Sequence, residues 1–169
     1  MSDELPSRDE LAAQLAGLVD IRLLDPLEIL LESDSETSPV RDRVIERSGE
    51  WASSLLGEDE VLARFTAIRL VSTLYPGDAG FAPPPGWWQT PLGRVMVRRV
   101  GHPAAESVSY AMAGAMLGIT RQGVHDLVTR SKLDRHESGG VTVASVQRRI
   151  TSLPRAGDPL ARTTTRSDT

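Results

Sequence analysis

Tyr110 to Leu133, YAMAGAMLGITRQGVHDLVTRSKL, decides the reading of this chain. It reads as two short helices joined by a tight turn. Ala113, Leu117, Ile119, Val124 and Leu127 supply the apolar contacts that pack one helix on the other. Gly114 is small where the helices cross, so the second can approach closely. Gly118 falls at the turn, where a left-handed backbone is cheap only for glycine. Thr120 can cap the second helix. A small residue, Gly four on, Val six further and Leu after three more is helix-turn-helix spacing.

The charge distribution supports a division around this stretch. The net charge is −4, but residues 1–93 carry 7 basic and 17 acidic side chains, whereas residues 94–169 carry 12 basic and 6 acidic. An acidic half joined to a basic half points to a phosphate-seeking module carried by an acidic one.

Length and composition bound the rest. A chain of 169 residues has room for one domain or two small ones. Apolar residues make up 40% and aromatics only 4%, which suits helices built on Leu, Val and Ala. No 18-residue apolar run predicts a membrane span, and the acidic, polar start MSDELPSRDE does not read as a secretory signal. The absence of cysteine removes disulfides, thiolate nucleophiles and cysteine-ligated metals, and makes a cytoplasmic, nucleoid-associated location the expectation.

Residues 8–24 read as a helix with Ser7 as cap, Asp9 and Glu10 in the first turn, and Leu11, Leu15 and Leu18 on one face. Asp25-Pro26 interrupts or ends it, and Leu27 to Leu31 can start another turn or two. Ser33 to Ser38 reads as a loop. Pro39 suits the first turn of a helix whose inner face is Val44, Ser48, Trp51 and Leu55, flanked by Ile45, Ala52 and Leu56, and closed by Gly57. Glu58 to Glu60 open the next helix, with Val61, Phe65, Ile68 and Val71 expected inward. Residues 1–76 are therefore expected to form an acidic helical bundle that mediates dimerisation or binds a partner.

Residues 77–89, rich in proline and glycine, read as a linker that Trp87 and Trp88 anchor onto a domain. Residues 90–153 form the second expected domain. Thr90-Pro91 starts a short helix with Val95, Met96 and Val100 on its apolar side and Arg94, Arg98 and Arg99 on the opposite side. Gly101 and Pro103 end it. After the helix pair, Ser138-Gly139-Gly140 is a hairpin turn and Val141 to Val143 a return strand, giving a small wing. Ser145 to Leu153 reads as a closing helix with Arg148 and Arg149 outward. Residues 154–169 show no apolar period and are expected to be a disordered tail. The fold class expected is mainly α: an N-terminal helical bundle plus a C-terminal winged helix-turn-helix with a small β-hairpin wing.

Residues 108–150, from VSYAMAGAMLGITRQGVHDLV through the KL-D-R segment and the glycine hairpin, resemble the winged helix-turn-helix of the MerR-like and excisionase-like DNA-binding superfamily. The resemblance covers about a quarter of the chain and leaves the first 93 residues outside any recognised family. The chain departs from full MerR regulators in that no long coiled coil or effector domain is expected after the wing. The resemblance implies that the second helix enters the major groove of double-stranded DNA while the wing touches backbone or minor groove. The outward positions would then be Thr120, Arg121, Gln122, His125, Asp126 and Arg130. Arg121 can offer a fork to guanine, Gln122 a bidentate amide to adenine, and Thr120 a phosphate contact. Asp126 repels phosphate, so it is expected to accept from a cytosine amino group or to pair with a neighbouring arginine. Lys132, Arg135 and His136 are phosphate candidates leading into the wing.

Enzyme chemistry has little support in the sequence. The three histidines have no paired-ligand spacing, and neither GxxxxGK[ST] nor GxGxxG occurs. No metal, cofactor or catalytic residue is expected. The expected function is sequence-specific transcriptional regulation of bacterial or phage type by a homodimer. Two alternatives stand beside it: an antitoxin or anti-activator whose N-terminal domain binds another protein, and an excisionase-like architectural factor.

Overall fold

The first helix begins where the chain supplies both halves of a capping box. Ser7 Oγ accepts from the Glu10 amide at 3.2 Å, and the Glu10 carboxylate accepts from the Ser7 amide at 2.9 Å. The hydrogen bonds from Ser7 hold the Glu10 carboxyl below its usual pKa. A computed structural model of the protein describes residues 5–77 and 80–152; the expected tail at 154–169 lies outside them. The fold is mainly helical, with one two-stranded antiparallel sheet among the described residues. No helix among them is long and apolar enough to cross a membrane.

Helix α1 (Arg8–Val19) buries Leu11, Leu15 and Val19. Val19, at i+4 from Leu15, completes the seam in place of the expected Leu18, which is only partly buried. The chain does not break at Asp25-Pro26. It widens through a π-turn at Asp20–Leu24 and continues into α2 (Asp25–Leu31). Proline lacks an N–H and crowds the carbonyl four residues back, and a wider turn relieves both. None of the α2 residues is buried. Arg41 of α3 (Ser38–Leu56) ties α2 down instead, reaching Asp20 at 2.6 Å, Glu28 at 2.9 Å and Asp25 at 3.5 Å. Hydrogen bonds from the Thr37 hydroxyl and Arg41 lower the Glu28 pKa.

Helix α3 carries Pro39 in its first turn and buries Ser48, Ala52 and Leu55. Ile45 lies exposed. Helix α4 (Glu60–Leu74) is capped by Asp59, whose carboxylate accepts from the Leu62 amide at 2.9 Å. Its inner face is Ala63, Thr66, Ala67, Leu70, Val71 and Leu74. Of the residues expected inward, only Val71 is buried; Val61, Phe65 and Ile68 face solvent. Two stripes on this helix have helical spacing, and the one centred on alanines packs inward because small side chains let helix backbones approach closely. Bulk alone picks the wrong stripe.

The proline- and glycine-rich stretch read as a linker does not interrupt the core. Pro85–Gln89 forms a short 3-10 helix that buries both tryptophans, and Trp88 is fully enclosed. Trp87 Nε1 donates to the Tyr75 hydroxyl at 2.8 Å, and Trp88 Nε1 donates to Met112 Sδ at 3.0 Å. Phe81 meets Tyr75 and Trp87 edge-on at centroid distances of 5.4 and 5.0 Å. His102 lies 5.4 Å from the Trp88 ring, and burial pushes its imidazole below the usual histidine range. Helix α5 (Pro91–Arg99), capped by Thr90, packs on α1 and α4 from the first half and on later helices from the second. The larger core cluster runs from Leu11 to Val146, and a smaller one of Val19, Leu24 and Leu74 joins it through Leu18, Trp51 and Tyr75.

Arg99, expected on the solvent side of α5, is buried. Its Nε donates to the Leu55 carbonyl at 3.0 Å, one terminal nitrogen donates to the Gly57 carbonyl at 2.7 Å, and the other pairs with Glu60. The guanidinium thus closes the C-terminal end of α3, where carbonyls lack helical partners, onto the start of α4.

Replacing Arg99 with methionine removes these donors and should cost about 2–4 kcal/mol, the range for stranding polar partners of a charged hydrogen-bond donor. Chemical denaturation reads this as a lower midpoint. Because the core is continuous, tryptophan fluorescence and far-UV circular dichroism should report one coincident transition.

Candidate nucleic-acid interface

Helix α6 (Tyr110–Leu117) starts at Ser109, whose Oγ accepts from the Met112 amide at 3.1 Å. It ends at Gly118 with φ of 67°, in the left-handed region. The Ile119 amide reaches back to the Gly114 carbonyl at 2.9 Å and the Gly118 amide to the Ala115 carbonyl at 3.4 Å, the paired bonds of a Schellman closure. Gly114 faces this turn so closely that a Cβ would lie 2.8 Å from the Ile119 carbonyl oxygen. Both glycines therefore occupy the roles their spacing predicts. The Gln89 side-chain amide donates to the Ala115 carbonyl and covers the end of α6.

Helix α7 (Arg121–Thr129) is capped by Thr120, whose Oγ1 accepts from the Gly123 amide at 3.1 Å. Val124 is fully buried against α6, and Ile119 and Leu127 pack on the same core. The opposite side of α7 is exposed and carries Arg121, Gln122, His125 and Asp126, a face at i, i+1, i+4 and i+5. Thr120 opens this face and Arg130 follows it. Asp126 accepts from the Gln122 amide at 3.2 Å. Its partner within the protein is thus the glutamine one turn earlier, where a neighbouring arginine was one of the two partners expected. His125 stands edge-on to Tyr110 at 6.3 Å, which couples the outer face of α7 to the first residue of α6.

A second left-handed residue, Ser131 at φ 55°, turns the chain after α7. Lys132 is exposed and Leu133 buried. The chain then runs through Arg135 and His136 to a turn at 137–140, where Gly139 and Gly140 have φ of 98° and 77°. The Ser138 amide donates to His136 Nδ1 at 3.2 Å. The Ser138 hydroxyl lies 2.6 Å from the same nitrogen, so this edge of the imidazole is engaged within the turn.

The strand reading needs correction. The return strand β2 is only Val141–Thr142, and Val143 already begins α8 (Val143–Ser152), two residues before the expected start. Strand β2 pairs antiparallel with β1 (Ser107–Val108), a strand upstream of α6 that the sequence does not announce, and Val141 also bridges Arg135 across the glycine turn. Two residues are too short to carry an alternating pattern, so β1 gives no sequence signal. Arg148, expected outward, is exposed and paired with Asp134. Sequence reasoning also missed the Ser109 cap and the Tyr110–His125 contact. A serine just before an alanine-rich run signals the cap, and nothing local signals the contact.

The assembled surface holds exposed basic residues Arg121, Arg130, Lys132 and Arg135 on α7 and the segment after it, with His136 half-buried beside them. Among the described residues no three His, Asp or Glu side chains gather in a metal-holding group. Comparison with known proteins finds no matching family model, no matching curated protein and no matching solved structure.

Gly118→Val should lower stability by about 2 kcal/mol, since a left-handed residue costs about 1–2 kcal/mol with a Cβ and more when β-branched. Urea unfolding is the measurement. An unchanged midpoint would show that the turn does not need a left-handed residue.

Proposed function

We propose that this protein is a sequence-specific DNA-binding transcriptional regulator of bacterial or phage type, with residues 108–150 acting as a winged helix-turn-helix. The observation that carries the reading is the exposed face of α7, which presents Arg121, Gln122, His125 and Asp126 beyond a turn closed by Gly118 and capped by Thr120. A short helix held rigidly at its start, buried on one side and polar on the other, suits insertion into a major groove.

In this reading each residue has a separate task. Arg121, in the first turn, offers two parallel donors to the N7 and O6 of a guanine. Gln122 presents its amide to a base edge, and its bond to Asp126 restricts the rotamers it loses on binding. Asp126 keeps an oxygen with which to accept from a cytosine amino group. Thr120 uses its hydroxyl as the cap, so phosphate at this end meets the amides of the first turn. Lys132, Arg135 and His136 lie along the following segment and contact backbone phosphates, setting register without reading sequence. His125 and Arg130 flank these contacts. Double-stranded DNA is the partner, and because one small module buries little surface, two copies of the chain act on one site.

Binding sites selected from a random duplex pool and titrated by fluorescence anisotropy test this. Arg121→Ala should weaken the selected site by about 1–3 kcal/mol and relax preference at one base pair. Lys132→Ala should weaken all sequences alike and reduce the steepness of the salt dependence by about one phosphate contact. Enrichment of no sequence, or an Arg121→Ala protein with unchanged preference, would overturn the assignment of α7.

A further inference from the structure

Every large apolar side chain exposed among the described residues lies between Ile21 and Ile68, in the acidic half. Soluble monomers rarely leave contiguous apolar surface of this kind uncovered. Its most regularly spaced part is the outer stripe of α4, where Val61 is 81% exposed, Leu62 46%, Phe65 63% and Ile68 41%. These residues recur at i, i+1, i+4 and i+7, a continuous seam about 10 Å long at 1.5 Å per residue. The helix beneath is fixed by six buried residues and a capped N-terminus. It differs in this from α2, which exposes apolar residues but buries none.

We infer that the outer face of α4 is the interface with a second copy of this chain, packed antiparallel about a two-fold axis near Phe65. This rests on the reading above for the use of two copies, and on the helix itself for the partner. A two-fold interface requires a patch complementary to itself. The charges along α4 meet that condition in one direction only. Glu58, Asp59 and Glu60 crowd its start, while Arg64 and Arg69 lie further along. In antiparallel register Val61 of one copy falls opposite Ile68 of the other, and Arg69 lies toward the partner's acidic first turn. The helix dipoles then also oppose. Parallel packing would stack the acidic turns on each other. Arg69 already leans over Phe65, 6.0 Å from the ring centroid, so its charge flanks the apolar seam. Residues 153–169 do not suit this seam as an occupant, because their only large apolar side chains are Leu153 and Leu160.

Sedimentation equilibrium of the full chain tests the interface. The wild type should be dimeric, and Phe65→Glu or Val61→Lys should be monomeric at the same concentration. Helical circular dichroism should be unchanged, because both side chains are exposed. Glu58→Arg and Arg69→Glu should each weaken self-association, and the two together should restore it. A monomeric wild type, a dimeric Phe65→Glu protein, or failure of the charge-reversed pair to recover would overturn the proposal. Titration with a mixed-sequence DNA duplex separates the two readings. A dimer that ignores DNA removes the regulator and leaves the interface standing, whereas a DNA-binding monomer does the reverse.

Discussion

The enclosure of Trp88 is the constraint on which the rest of the structure depends. Among the described residues it is the largest fully buried side chain, and it sits in the stretch whose composition least suggests a core. The tandem tryptophans are held by a 3-10 turn, and Gly93 of α5 lies directly against the Trp87 carbonyl, where a Cβ would clash. Trp88 then reaches Met112 of α6, and Trp87 reaches Tyr75 at the end of α4. One pair of rings therefore touches the helices before it and those after it. Buried aromatic rings of this size supply a large share of apolar contact. It also explains why α5 can belong to both halves.

Arg99 makes a second connection of a different kind. A buried guanidinium is costly unless its donors are occupied, and here two go to carbonyls at the end of α3 and one to Glu60. The geometry is specific: the arginine recognises a helix end, not merely an opposite charge. Its burial also means that fewer of the basic residues in the second half remain for an outside partner than the sequence count suggests. Arg148, paired with Asp134, reduces that number further.

The two halves thus share a core but present different surfaces. The acidic half exposes apolar side chains on α2, α3 and α4, while the basic half exposes polar and cationic ones on α7 and the segment after it. Apolar surface favours association with another protein surface, and cationic surface favours phosphate. A rigid body joining them would fix how a docked partner sits relative to whatever α7 contacts. Flexible tethering would not.

The sequence by itself determined the local devices. Ser7, Thr90 and Thr120 cap helices where their spacing predicts, and Gly118 takes the left-handed turn. The outward residues of α7 follow from Val124 and Leu127 facing in. Each of these depends on neighbours within a few residues, so local chemistry suffices. Only the tertiary structure decided the rest. It chose the alanine stripe of α4 over the bulky one, buried Arg99, and joined Ser107–Val108 to Val141–Thr142. It also made the proline-rich stretch part of the core. These outcomes depend mainly on which surfaces meet across long separations in sequence, and helical periodicity is silent where a helix carries two apolar stripes.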